Sequence, residues 1–324
     1  MRETAAHPQL VERMPLLQAA LHAPGAFYLL AIMGAFLTLW TPGFFTAANL
    51  TNVALQVAVL TIVALGMTLI ILTEGIDLSL GPVLGLCGVG ASLMIVAGYP
   101  LPLAIGAAVI IGACFGLLNG TLIAVVGMPP FIVTLGSFGI AQSIATVLTQ
   151  GDSVVNLPSY FRWFNDGVFL AVPVPIWATF AAFAATWLLL YGTKFGRYVF
   201  AIGGNRQALI LTGTRVEIYH IAVYVYAGVL AALASFIMTA RMNAAHPTIG
   251  VGLEFDAIAA VILGGTSFEK GRGGIAGTVV GALAVGVLRN GLNLVGVGTE
   301  WQVAIVGVVI ITAVALDSLR RLNA

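Results

Sequence analysis

The chain has 324 residues, of which 60% are hydrophobic and 8% charged, with a formal net charge of +1. A soluble domain carries about 25% charged residues, so this composition excludes a water-soluble surface and makes the bilayer the expected solvent. It also excludes nucleic acid as a partner, because there is no excess of cations to neutralise phosphates.

The opening stretch MRETAAHPQLVERMPLLQAALHAPG mixes both signs of charge and lacks the basic-then-apolar pattern of a signal peptide. It is expected as a cytoplasmic tail, residues 1–25. Beyond Arg13 the charges vanish: none occurs from Met14 to Thr73, and none from Leu78 to Gly151. Each run is long enough for more than one spanning helix of roughly 20 residues. Proline, glycine and charge then punctuate the apolar runs into ten expected spans. The first five are Ala26–Trp40, Asn52–Thr73, Ser79–Val96, Leu103–Val125 and Phe131–Thr149. The second five are Ala171–Tyr191, Ile218–Ala240, Gly250–Leu263, Ile275–Leu294 and Trp301–Leu316. Gly250–Leu263 is short for a span and is expected to be broken or tilted. The expected fold class is therefore all-α and polytopic, a transmembrane domain over residues 26–317 followed by a short tail, 318–324.

Basic residues set the orientation. Ten spans place both termini on one side, together with Arg2, Arg13, Lys194, Arg197, Arg206, Arg215, Lys270, Arg272, Arg320 and Arg321. The other side holds Arg162 and Arg241. Both termini are thus expected in the cytoplasm. The segment 192–217 becomes the largest cytoplasmic loop, and TQGDSVVNLPSYFRWFNDG the largest external one.

Glycines four apart share a helix face and let backbones approach closely in a membrane. Gly81 with Gly85, Gly112 with Gly116 and Gly120, and Gly277 with Gly281 are expected to pack in this way. An internal repeat also shows. TEGIDLSLG opens the third span and LEFDAIAAV the eighth; GLLNGTLIAVVG in the fourth matches GVLRNGLNLVG in the ninth. The offset is five spans, an odd number, which implies two halves of opposite orientation with a solute path between them. Asp77 then corresponds to Asp256, and Asn119 to Asn290.

Chemistry of other kinds finds no motif. There is no G-x-x-x-x-G-K-[ST] loop for a nucleotide, and no HExxH, CxxC or G-x-S-x-G pattern. His7, His22, His220 and His246 are scattered, and Cys87 and Cys114 read as small core residues. No catalytic residue, metal site or cofactor is expected. Glu74, Asp77, Glu254 and Asp256 fall near helix starts, where an acid either caps free N–H groups or meets a solute. Arg289 lies inside the ninth span, where it either snorkels or lines a wet path with Asn290 and Asn293. Asp77, Asn119, Asp256, Asn290 and Asn293 are the candidate path residues. Alternating acids and histidines for a proton relay are lacking, which weighs against a proton-coupled secondary carrier.

Five stretches carry a resemblance: ILTEGIDLSLGPVLGL, GMPPFIVTLGSF, KFGRYVFAIGGNRQALILTG, LEFDAIAAVILGGTSFEKGRGGIAGTVVGAL and LRNGLNLVGV. In order, from about Phe44 to Asp317, the chain resembles the membrane permease subunit of ABC importers for ribose, xylose and related sugars. That group lies within a superfamily that includes branched-chain amino acid permeases. The resemblance implies a multi-pass protein of the bacterial inner membrane, surrounded by membrane lipid, that forms the path for a small-molecule solute, a monosaccharide. It implies three partners: a second permease subunit (the same chain or another), an ABC ATPase subunit at the cytoplasmic face, and a periplasmic solute-binding protein. It implies no ATPase site in this chain. A permease for an amino acid or signalling molecule, and an ion-coupled carrier, are the rival readings.

The resemblance also places the ATPase-coupling element in the segment 192–217, at Gly203, Gly204, Asn205, Arg206, Gln207, Ala208, Leu209, Leu211 and Gly213. From the residues, Ala208–Gly213 reads as a short helix with an apolar docking face that includes Leu209 and Leu211, glycines for sharp turns on either side, and Arg206 and Arg215 as a charged rim. The family pattern has an acid then alanines after GGN. Here Arg206 and Gln207 follow, a charge reversal that points to a particular cognate ATPase. Glu269 and Lys270 likewise stand where relatives have small residues.

Overall fold

A computed structural model describes residues 25–268 and 271–322. Most of the expected tail, residues 1–24, and the Glu269–Lys270 pair lie outside the described residues. The helices are α1 (Gly25–Trp40), α2 (Ala47–Leu72), α3 (Leu80–Val96), α4 (Leu101–Ala124), α5 (Pro130–Thr149) and α6 (Val174–Gly192). They continue as α7 (Lys194–Leu211), α8 (Val216–Met242), α9 (Leu253–Leu263), α10 (Ile275–Leu294) and α11 (Thr299–Leu322). Six of them, α2, α4, α5, α6, α8 and α10, are long and apolar enough to cross a membrane. The chain is an all-α polytopic membrane protein.

Each expected span falls on a helix, with instructive shifts. α2 starts at Ala47, where the Thr46 side chain accepts the Asn49 N–H, so the helix begins earlier than the apolar run. α9 starts only at Leu253, because Gly252 takes a left-handed φ of +97° just before it. The last helix runs on to Leu322, so residues 318–322 continue it. The segment expected as a cytoplasmic loop holds a helix of its own, α7. Between α5 and α6 the chain forms a 3-10 turn (Ser159–Arg162), a helical turn (Trp163–Asp166) and a two-stranded hairpin that pairs Val168–Phe169 with Val172–Pro173. Phe161 of this loop is buried against Phe236 of α8.

α2 is the axis of the bundle. Every residue from Val57 to Leu72 is buried, as expected of a helix that is apolar on all faces. It packs against α6, α8, α9 and α10. The outer helices present apolar side chains such as Ile110, Leu117, Phe131 and Leu188 outward, the surface lipid would cover.

The glycine faces are seams between helices. A Cβ on Gly112 would overlap the Gly228 carbonyl, and one on Gly116 the Tyr224 carbonyl, so α4 lies backbone to backbone on α8. Gly277 and Gly281 meet the carbonyls of Gly264 and Ala260 in the same way, which joins α10 to α9. Gly81 of α3 meets the Gly250 carbonyl just ahead of α9.

Candidate functional site

Polar side chains inside this apolar bundle gather at a few places. The first is the turn between α2 and α3. Thr73 closes α2 with its hydroxyl on the Ile70 carbonyl (2.8 Å), and Glu74 turns the chain with a left-handed φ of 60°. Asp77 follows, buried. Its Oδ1 accepts the Ser79 N–H (2.8 Å) and the Ser79 hydroxyl (2.6 Å). These bonds fold the turn just ahead of α3: the N–H they take is that of Ser79, the residue before the helix, and not one of the helix's own free N–H groups. Asn119 of α4 donates from Nδ2 to Asp77 Oδ2 (3.3 Å) and to Ser79 Oγ (2.9 Å). Ser137 of α5 donates to Asn119 Oδ1. One buried network thus ties the α2–α3 turn to α4 and α5, and Asn119 supplies both donors and acceptor to it.

The second cluster lies on α10. Arg289 donates to Asp256 Oδ1 of α9 at 2.7 Å, with the arginine side chain 26% exposed and the acid nearly buried. Arg289 is therefore anchored by an ion pair, a role the sequence reading did not include. Asn290 makes a reciprocal amide pair with Asn49 of α2: each Nδ2 donates to the other's Oδ1, at 3.0 and 2.9 Å. Asn49 Nδ2 also reaches the Phe44 carbonyl at 2.9 Å. Asn293 accepts from Gln302 Nε2 at 2.7 Å, which links α10 to α11.

Among the expected path residues, then, only Asp77 and Asn119 are bonded to each other. Asp256 and Asn290 each take a different partner, so the two matched pairs of the repeat are not wired alike. Asn119 and Asn290 are both buried inside the bundle. Ser79, Ser137, Asn49 and Gln302 join these clusters without being among the expected residues. The available signal was a hydrogen-bonding side chain inside an apolar helix, which needs a partner there.

The third feature is α7. Its helix is interrupted at Asn205 (φ −161°, ψ 87°). Asn205 Oδ1 accepts the Ala208 N–H at 2.9 Å, so this side chain caps a new helical turn. Gly203 sits so close to the Leu72 carbonyl, at the end of α2, that a Cβ would overlap it, and Gly271 of the α9–α10 connection touches the same glycine. α7, the end of α2 and the α9–α10 connection therefore meet at one end of the bundle.

The two leucines of the segment part company. Leu209 is 9% exposed and packs with Ile202 and Val216 in a small core of its own, whereas Leu211 is 88% exposed. Leu209 is thus part of this chain's own packing. Gly204, Gln207, Ala208 and Ile210 are exposed beside Leu211. Arg206 approaches Glu217 at 3.7 Å, both partly exposed, and Gly213 ends the segment with φ +78°.

Residues 49–314 match the family described as branched-chain amino acid transport system / permease component. The chain is 42% identical to the ribose import permease protein RbsC of Escherichia coli (strain K12), over 90% of this chain and 92% of the relative. It is 43% identical to the ribose import permease protein RbsC of Bacillus subtilis (strain 168), over 90% and 92%. It is 37% identical to the D-allose transport system permease protein AlsC of Escherichia coli (strain K12), over 91% of each. No solved structure matches the chain.

Proposed function

The chain belongs to the branched-chain amino acid transport system / permease component family, and from that premise we propose that it is the permease subunit of a binding-protein-dependent ABC importer for a monosaccharide. It is a multi-pass protein of the bacterial inner membrane. The observation that carries the sugar reading is the near full-length similarity to relatives named for the import of ribose and D-allose. The polar clusters inside an otherwise apolar bundle suit a path for a polyhydroxy solute, because sugar hydroxyls need hydrogen-bond partners wherever water is excluded.

The chain is not itself an enzyme in this reading. An ABC ATPase subunit supplies the energy, a periplasmic binding protein delivers the sugar, and a second permease subunit completes the path. Ten spans, α1 to α6 and α8 to α11, place both termini in the cytoplasm, and residues 26–317 form the permease domain. The five-plus-five inverted repeat relates Asp77 to Asp256 and Asn119 to Asn290, and these with Asn293 line the path or hold its walls. Residues 192–217 receive the ATPase. Within them Leu211 and Ile210 form the docking tip, Asn205 sets its angle, and Leu209 anchors it to the bundle.

The test is purification of the permease alone and with its ATPase. The chain alone is expected to hydrolyse no ATP. The pair is expected to co-purify and hydrolyse it, with stimulation by the sugar-loaded binding protein. A permease that never retains an ATPase would overturn the reading.

A further inference from the structure

Of the three buried acids among the described residues, Asp77, Glu254 and Asp256, one belongs to neither polar cluster. Glu254, in the first turn of α9, is 0% exposed. Its Oε1 accepts the Gly252 N–H at 3.0 Å, and its Oε2 has no hydrogen-bond partner among the described residues. Asp77, by contrast, has both oxygens bonded. The free oxygen of Glu254 faces the first turn of α3, where a Cβ on Gly81 would overlap it. Glycine at 81 is what leaves room for this carboxyl.

A second group reaches the α2–α3 connection, just ahead of that turn, from another helix. Tyr224 of α8 is fully buried, its hydroxyl has no partner among the described residues, and a Cβ on Gly75 would approach that hydroxyl to 2.5 Å. Asp77 lies between Gly75 and Gly81 in the chain. Two orphaned polar groups, from two different elements, therefore lie against the α2–α3 turn and the first turn of α3 that follows it.

Buried polar groups are nearly always partnered, because leaving one unpaired costs stability. Two together mark a place where the partner comes from outside the chain. A carboxyl and a phenol offer both acceptors and a donor, which suits a compound carrying adjacent hydroxyl groups. The seam over them is close: Gly81 lies on Gly250, backbone on backbone, with the Glu254 carboxyl beside them.

We infer that Glu254 and Tyr224 are solute contacts, taking hydroxyl groups of the sugar when α3 separates from the start of α9 during transport. The inference rests on the sugar-permease reading above and adds the residues that meet the cargo. Asp77 stays bonded to Ser79 and Asn119 and holds the turn in place.

The experiment uses the complete transporter, with its ATPase and binding protein, in proteoliposomes. D-ribose, D-allose, L-arabinose and D-galactose serve as labelled probes. Glu254→Met keeps the length of the side chain and removes both oxygens, the orphaned Oε2 and the Oε1 that accepts the Gly252 N–H. A structural acid and a solute contact then predict opposite results. If Glu254 meets solute, Glu254→Met lowers the melting temperature of the assembled complex by no more than the loss of its one hydrogen bond to the Gly252 N–H, while uptake falls roughly tenfold or more, as expected where a site built to bond a hydroxyl loses its partner. Tyr224→Phe should show the same pattern with a smaller loss. Normal uptake by Glu254→Met would overturn the inference. So would failed assembly, or a melting temperature lowered well beyond the loss of that one hydrogen bond, since either makes the acid part of the chain's own packing. If the unsubstituted transporter takes up none of the four sugars, the underlying sugar reading falls, and the inference with it.

Discussion

Leu211→Asp separates a docking surface from a merely exposed helix. In the free permease Leu211 is 88% exposed, so the substitution removes almost no burial, and stability should stay within about 0.5 kcal/mol. If the tip of α7 docks in a groove of the ATPase, two losses add. Burial of the leucine, about 1.5–3 kcal/mol, is forfeited. An unpaired carboxylate enters an apolar contact at a further cost of about 2 kcal/mol or more. Together these come to about 4 kcal/mol, roughly a thousandfold in the dissociation constant. Leu209→Asp should behave in the opposite way. That side chain is buried against Ile202 and Val216, so its charge costs the permease itself about 3–5 kcal/mol. The assay pairs a thermal melt of each purified permease variant with the amount of ATPase it retains on co-purification. The expected result is a normal melt with lost ATPase for Leu211→Asp, and a lowered melt for Leu209→Asp. Normal retention of ATPase by Leu211→Asp, with normal ATP-driven uptake, would refute the assignment of α7 as the coupling surface.

Other outcomes follow from the polar clusters and from the topology. Asn49→Ala and Asn290→Ala each strand the other amide in a buried site and should cost about 1–3 kcal/mol, with the double variant costing little more than one single, as a double-mutant cycle of melting would show. Arg289→Ala leaves Asp256 without its counter-charge and should lower stability by about 3–5 kcal/mol; Asp256→Asn combined with it should recover part of the loss. In a background with Cys87 and Cys114 replaced, a cysteine at Asn205 should be labelled only from the cytoplasm and one at Ser153 only from outside. Labelling of both from the same side would exclude the ten-span topology.

Much of the bundle was legible because a bilayer allows few choices. Apolar runs bounded by glycine, proline and charge have to be helices, and each expected span lies on one. The glycine seams were legible for a related reason: spacing of four puts Gly112 and Gly116 on one face, and only a neighbouring backbone can fill the space they leave. The start of α9 was misplaced because apolar periodicity runs through Gly252, while the left-handed turn there depends on backbone conformation that composition does not report. Around α7 only Ala208–Gly213 was expected as a helix, because the charge ahead of it, from Lys194 to Arg206, was taken as a mark of a solvated loop. The inner face of α7 packs on its own small core through Leu209, and its charges lie on the outside. The partners of Asn290 and Arg289 were not legible, since Asn49 lies 241 positions from Asn290 and only tertiary packing brings them together. Glu254 and Asp256 looked alike in sequence, two acids in one helical turn. Their side chains point to different neighbours, one to an arginine and the other to a glycine.

The central claim is that this chain moves a sugar with energy from a partner ATPase, and uptake into proteoliposomes tests it directly. With the ATPase and the sugar-loaded binding protein present, accumulation of labelled D-ribose, D-allose, L-arabinose or D-galactose should require ATP, stop when the ATPase is inactivated, and survive a protonophore. Accumulation by the permease alone, driven by a proton or sodium gradient and indifferent to ATP, would contradict it.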